Sequence, residues 1–442
     1  MTVGVIGGGL SGLATGYLLN QRKVTFELLE KQNECGGLMQ TAQEDGYTFD
    51  CAGAHIIFSK DERILNFMLH LLKDNVVQNV RNTKVLYKQH YVKYPFENGL
   101  GDLPIEENFE CLYSFIANLV KKEKGESSEP ATFKEWVYYT FGKGIAEKYL
   151  IPYNEKIWKY PLENMDLSWV QRVPNPPMED VIRSSLGLRT EGYLHQLHFY
   201  YPKLGGIQAL VRSLEGEIQA NVFKNFDVKR VVKEDDTWVV SSGRREKLYS
   251  KLICSMPIQH IVKALEAPGN VRSAAANLRY NSLISVSLGV NRENVSNLSW
   301  LYIPEHSILP HKVSFPSNFS PNVVPAGKSS VLAEVTCDVE SDVWRMHDED
   351  ITDRVIADLD KLNIINEREV SFAKVHRTEL AYVINDTDYR KNIRTVRDYI
   401  KGLGIDLVGR FAQFEYLNMD ACLGRAMDYV NGYLNQADFK PC

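Results

Sequence analysis

Thr2-Val3-Gly4-Val5-Ile6-Gly7-Gly8-Gly9-Leu10-Ser11-Gly12 opens the stretch that decides the fold, and Leu13 to Gln21 and Val24-Thr25-Phe26-Glu27-Leu28-Leu29-Glu30 complete it. Thr2 to Ile6 reads as a short buried parallel strand, Leu13 to Gln21 has helical spacing, and Val24 to Glu30 reads as a second strand. Strand, G-x-G-x-x-G, helix, strand and a closing acid together form a dinucleotide-binding fingerprint. Gly7 allows the tight turn, Gly9 lets the backbone approach a pyrophosphate, and Gly12 lets the helix pack closely on the strand. The helix N-terminus, which carries Ser11, presents free N–H groups to an anion. Glu30 lies eighteen residues after Gly12, a spacing that suits an acid accepting hydrogen bonds from an adenosine ribose. NAD and FAD both use this fingerprint.

Composition narrows the partners. The length of 442 residues sets a prior of about three domains, and 44% hydrophobic with 24% charged residues is ordinary for a globular chain. Fifty-one Lys+Arg against 56 Asp+Glu leave −5, which argues against bulk electrostatic binding of nucleic acid. Seven scattered cysteines without a CxxC pair suggest neither a zinc site nor a disulfide framework, and fit the reduced thiols of a cytosol. The apolar stretch Val3 to Leu19 is rich in glycine and lacks a basic leader, and no segment reaches the ~20 apolar residues of a membrane span. A cytoplasmic protein without a membrane span or bound metal is expected.

Along the chain, helical faces are expected at 61–72, 107–122, 132–141, 145–150, 348–361 and 420–434. Strands are expected at 85–95, 228–232, 238–240, 251–254, 282–290, 299–303, 312–315, 330–336 and 370–375. The pattern implies an α/β chain: a doubly wound, Rossmann-type nucleotide domain, a helical insertion, and an antiparallel sheet that lays out a substrate. The expected division is 1–80, 200–265 and 386–442 for a discontinuous FAD-binding domain, 96–199 for the helical domain, and 81–95 with 266–385 for the substrate sheet. Cys35-Gly36-Gly37-Leu38-Met39, soon after Glu30, resembles the FAD-binding half of amine-oxidase-like flavoproteins, which favours FAD over NAD.

Further stretches resemble the UDP-galactopyranose mutases, especially those of eukaryotes. They are Gly53-Ala54-His55-Ile56-Ile57-Phe58-Ser59, Val92-Lys93-Tyr94-Pro95-Phe96-Glu97-Asn98, Pro152-Tyr153-Asn154-Glu155-Lys156-Ile157-Trp158, Trp169-Val170-Gln171-Arg172 and Phe199-Tyr200-Tyr201-Pro202. Ser299-Trp300-Leu301-Tyr302, Ser317-Asn318-Phe319, Ala381-Tyr382, Gly409-Arg410-Phe411 and Glu415-Tyr416 follow in the same order. The resemblance implies a redox-neutral isomerase of nucleoside-diphosphate sugars, of the kind that supplies galactofuranose for polysaccharide synthesis. In it, N5 of reduced FAD attacks the anomeric carbon. It implies NAD(P)H or another reductant for the flavin, and allows a homo-oligomer. The alternative within the same superfamily is an FAD oxidase of the amine-oxidase or protoporphyrinogen-oxidase type.

The resemblance also implies roles for single residues. His55, Arg172 and Arg410 would be catalytic. Tyr94, Phe96, Glu97, Asn154, Trp158, Tyr302, Lys312, Tyr382 and Tyr416 would contact the substrate. Gly7, Gly9, Ser11, Gly12, Glu30, Gly36, Gly37, Leu38, Gly409, Arg410, Met419 and Asp420 would hold FAD. Five positions depart from the family pattern: Lys312 stands for arginine, Phe319 for tyrosine, Gln196 for asparagine, Glu97 for glutamine and Tyr201 for phenylalanine. An ionised Glu97 only accepts hydrogen bonds, which would suit guanine better than uracil and predicts a base or sugar other than that of UDP-galactose.

Overall fold

The structure, a computed structural model, describes residues 2–188, 190 and 197–435; Gln196 lies outside the described residues. The first strand, β1 (Val3–Ile6), lies in the middle of a five-stranded parallel sheet. On one side it pairs with β2 (Phe26–Leu29), which is followed by Val222–Phe223. On the other it pairs with Lys251–Cys254, which is followed by Ile405–Leu407. A sheet covered on both faces demands continuous apolar strands, and Val3, Val5, Leu28, Ile253 and Cys254 have no exposed surface. The helix between β1 and β2, α1 (Leu10–Gln21), is buried on nearly all sides. Its small residues permit this: a Cβ on Gly16 would come within 2.9 Å of the Phe26 ring. Helix Met419–Asn435 packs along α1 and returns the end of the chain to the nucleotide fold.

The second sheet has seven strands in the order Val370–Val383, Tyr280–Val290, Ser329–Cys337, Lys312–Ser314, Trp300–Tyr302, Thr83–Tyr87 and His90–Lys93. It is antiparallel as expected except at one junction, where Trp300–Tyr302 runs parallel to Thr83–Tyr87. That junction brings residues from near position 90 against residues from near position 300. The strand-like run 85–95 is therefore a hairpin, turned at Lys88 and Gln89, both with positive φ.

Against the second sheet packs a helical region led by Ile105–Glu123 and Phe133–Ile145. The second helix begins with a capping box in which the Thr132 hydroxyl accepts the Glu135 N–H and Glu135 reaches back to the Thr132 backbone. Gly142 has φ +70°, and a Cβ there would lie 2.5 Å from the Ser114 carbonyl oxygen, so this crossing needs glycine. The expected short helix 145–150 is a π-type turn, Ala146–Leu150, running on into Ile151–Trp158. Lys156 fastens that helix to the sheet. Its buried ammonium donates to the carbonyls of Ile303 (2.9 Å), Glu305 (2.8 Å) and Pro310 (2.7 Å), and burial pushes its pKa down to about 7. Helix Asp348–Lys361 spans the segment its polar-faced pattern predicts.

Candidate active site

At the carboxyl end of β1 the glycines form a cradle that side chains would fill. A Cβ on Gly12 would stand 1.9 Å from the Gly7 carbonyl oxygen, and Gly7 itself has φ +106°. A Cβ on Gly9 would meet nothing nearer than the Gly37 Cα at 4.0 Å. Gly9 supplies no side-chain cap to α1, so the helix presents its first N–H groups uncapped at an open glycine surface. The second glycine pair closes one side, where the Gly36 N–H donates to the Gly8 carbonyl at 2.9 Å. Gly409, at φ +112°, closes another; a Cβ there would lie 2.5 Å from Ser11 Oγ. Leu38 packs half-buried beneath, and Met419 and Asp420 begin the helix that lies along α1.

Glu30 is buried here, and one carboxylate oxygen accepts the Gly8 N–H at 2.7 Å while the other accepts the Gln32 N–H at 2.8 Å. The expected ribose acid thus also fastens the glycine turn to the end of β2.

Towards the second sheet lies a concentration of aromatic and charged groups. The Tyr382 and Tyr416 rings stack at 5.9 Å. Over Tyr416 stand two guanidinium groups, Arg410 at 4.3 Å and Arg172 at 4.6 Å from the ring centroid. Arg410 is held by the carbonyls of Leu417 (3.0 Å) and Ala381 (2.6 Å), and Arg172 by the Tyr416 carbonyl. Tyr302 packs against Tyr94 at 5.0 Å and Tyr153 at 5.2 Å. Burial raises the pKa values of Tyr302 and Tyr382, so both are neutral phenols able to donate.

Lys312 joins the two groups electrostatically. Burial opposes its charge, yet Glu334, whose carboxylate lies 2.8 Å away and is almost wholly buried, outweighs this and raises the lysine pKa. Glu334 also accepts the Ala54 N–H at 3.1 Å, next to His55. His55 is held neutral, its pKa lowered to about 4 by burial first and then by Lys312, and its Nδ1 has no hydrogen-bond partner among the described residues.

A family model for flavin containing amine oxidoreductases matches residues 10–382. The chain belongs to this family. Its cofactor is FAD, and the cradle fits it: an uncapped helix start faces glycines that leave room for a pyrophosphate.

A UDP-galactopyranose mutase of Mycoplasma pneumoniae is 24% identical over 184 residues, which cover 38% of this chain and only 43% of that protein. A crystal structure of reduced UDP-galactopyranose mutase shares the fold with a TM-score of 0.90 at 22% identity, over 99% of this chain and 96% of that one. A putative protoporphyrinogen oxidase from Exiguobacterium sp. 255-15 superimposes with a TM-score of 0.77 at 16% identity, over 98% of this chain and 99% of that one.

Within this flavoprotein several expected contacts take other places. Phe96 has no exposed surface and stacks on Tyr149 at 5.0 Å. Trp158 is buried against Trp169, Tyr382 and Tyr416. The Asn154 amide donates to the Leu150 carbonyl at 2.7 Å and accepts the Trp158 indole N–H at 3.1 Å, which makes it a support for Trp158. Lys312 brings no net charge, being matched by Glu334. Phe319 sits in an aromatic core with Phe199, Tyr201 and Trp300.

Glu97 is buried with both carboxyl oxygens unpartnered among the described residues, and burial lifts its pKa to about 8. It is neutral near pH 7, not the obligate acceptor expected from sequence. A neutral Glu97 carries no charge that would disfavour uracil.

Two residues of the site escaped sequence reasoning. Glu334 lies in a strand whose nine residues are all buried, and a lone carboxylate in such a run demands a cation; Lys312, its register partner, supplies it. Asp50 accepts from the Tyr201 hydroxyl (3.1 Å), the Ile207 N–H (3.0 Å) and Thr41 Oγ1 (3.0 Å), and its burial raises its pKa to about 6. The tyrosine at 201, where the family resemblance expects phenylalanine, was the available signal.

Proposed function

We propose that this flavoprotein is a nucleotide-sugar mutase that interconverts the pyranose and furanose forms of a nucleoside-diphosphate sugar. The observation that carries this is the pair of guanidinium groups, Arg172 and Arg410, converging on the ring of Tyr416 beside the neutral phenols of Tyr302 and Tyr382. A fold likeness to reduced UDP-galactopyranose mutase over nearly the whole chain supports it. Reduced FAD would supply a nucleophilic N5 towards the anomeric carbon, and NAD(P)H or another reductant would keep it reduced.

This chain's residues then have definite tasks. When the anomeric C–O bond breaks, its electron pair goes to a diphosphate oxygen. Arg172 and Arg410 oppose that charge, and guanidinium forks suit phosphate oxygens. The tyrosine hydroxyls donate to the same oxygens and hold the diphosphate so that it can return. His55, neutral and with Nδ1 unpartnered among the described residues, adds no competing charge. Glu97, neutral but buried with both carboxyl oxygens covered, adds no charge that would repel the carbonyls of uracil. In this reading segments 1–80, 200–265 and 386–442 serve FAD, 96–199 is the helical domain, and 81–95 with 266–385 serves the sugar nucleotide.

Titrating the dithionite-reduced holoenzyme with UDP, TDP and GDP tests the reading. Saturable UDP binding, weakened about tenfold or more in Arg172→Ala, is expected. A holoenzyme indifferent to all three, yet releasing peroxide with an amine or a porphyrinogen, would replace the mutase by an oxidase.

A further inference from the structure

Helix Ile151–Trp158 lies across the second sheet, and its contacts follow the order of the strands. At one end Trp158 meets Tyr382 on the edge strand Val370–Val383, with ring centroids 6.4 Å apart. One strand in, the Asn281 amide donates to the carbonyls of Ile157 (2.6 Å) and Trp158 (3.3 Å). On the next strand the Thr336 hydroxyl donates to the Lys156 carbonyl at 2.9 Å. The Lys156 ammonium then reaches the turn that joins the following two strands, Lys312–Ser314 and Trp300–Tyr302. Tyr153, nearer the start of the helix, packs on Tyr302 itself at 5.2 Å. One short helix is thus a crossbar between Tyr302 and the stacked pair Tyr382 and Tyr416, against both of which Trp158 packs.

Lys156 is the fixed point of this crossbar. An ammonium has three donors, and all three are used here, on the carbonyls of Ile303, Glu305 and Pro310. Ile303 directly follows Tyr302, and Pro310 stands two residues before Lys312, which faces Tyr302 in register. A buried ammonium is costly to keep, and Lys156 is only 2% exposed. Its acceptors are backbone, which cannot swing away as a carboxylate side chain can, so the three bonds fix the path of the turn. An apolar side chain of similar length would fill the same space but leave three carbonyls without a donor. The lysine is suited to orienting the turn, beyond packing beneath it.

We infer that Lys156 is a positioning residue that sets the separation between Tyr302 and the Tyr382–Tyr416 pair, and with it the span across which a nucleoside diphosphate is held. This role rests on the mutase reading, which supplies the diphosphate. It acts through the turn on one side and through Trp158 on the other. Donors displaced by about 1 Å can lose about a hundredfold in effectiveness, so a small change in that separation is enough to be measured.

The test uses dithionite-reduced holoenzyme and UDP. Lys156→Ala removes Cγ, Cδ, Cε and Nζ and leaves a gap with the shape of n-propylammonium. Its UDP dissociation constant should rise about thirtyfold with flavin content unchanged, and added n-propylammonium should restore most of the affinity. n-Propanol, which fills the same gap with one donor in place of three, should restore little. Thr336→Val frees the Lys156 carbonyl without touching the ammonium, and should weaken UDP about threefold. It carries the test if Lys156→Ala yields no soluble holoenzyme. An unaltered holoenzyme that does not bind UDP removes the mutase reading and the positioning role with it. Where the unaltered enzyme binds UDP, four results overturn the positioning role alone: unchanged affinity in Lys156→Ala, flavin lost in step with UDP, a loss that n-propylammonium does not repair, or equal repair by n-propanol. Unchanged affinity in Thr336→Val does the same where it is the variant in use.

Discussion

The two ends of the site are built on different principles. The glycine cradle comes mostly from one contiguous stretch, Gly7 to Gly12, and its shape is set by the space that missing side chains leave. The aromatic end gathers residues 94, 172, 302, 382, 410 and 416 from separate parts of the chain and is built of charged and hydroxyl-bearing side chains. In the first, the critical quantity is a distance to backbone; in the second, it is whether each buried charge has a partner. Substitutions should therefore fail in different ways at the two ends.

The cradle should show the largest effect. Gly12→Val places a branched side chain where even a Cβ stands 1.9 Å from the Gly7 carbonyl oxygen. Loss of bound flavin, read as the flavin-to-protein absorbance ratio, and loss of soluble protein are expected. At the other end the sensitive element is the buried pair of Lys312 and Glu334. Glu334→Gln leaves the ammonium unpaired and should cost about 3–5 kcal/mol in thermal or denaturant unfolding. The double variant Lys312→Met/Glu334→Leu should cost markedly less, because no buried charge is then left alone.

Glu97 sharpens the comparison through pH. Its folded pKa of about 8 lies above the ordinary carboxyl value, so the folded state keeps a proton that the unfolded state releases. Stability should fall as pH rises from about 4.5 to about 8 and level off beyond. Tyr149 and Cys111, the ionisable side chains that interact with Glu97, are held neutral by burial and do not reverse this sign. Glu97→Gln should remove that slope and be the more stable form by about 4 kcal/mol at pH 8, measured as unfolding midpoints across pH.

The smallest effect belongs to Tyr201→Phe, which removes a hydroxyl donor from buried Asp50. A loss of about 1–2 kcal/mol is expected. A neutral outcome would mean that the other donors to Asp50 suffice.

The same contrast explains what could be read before the fold was known. The turn from β1 to α1 was legible because each glycine answers a local steric demand. Helix 348–361 was legible because one polar face is enough to define it. Glu334 was not, since its meaning depends on Lys312 lying across the sheet, twenty-two residues earlier and in register only after folding. Glu97 was legible as a residue but not as a chemical species, because burial decides its protonation. Phe96 and Trp158 could be read as part of a family pattern, but their full burial is set by packing and could not be read from sequence.

The most direct test of the account is product formation by dithionite-reduced holoenzyme given UDP-galactopyranose without oxygen. A furanose product is expected, with the same equilibrium mixture reached from either isomer and no net oxidation of sugar or flavin. Unchanged UDP-galactopyranose and UDP-galactofuranose, together with oxygen-dependent peroxide release on an amine or a porphyrinogen, would contradict it.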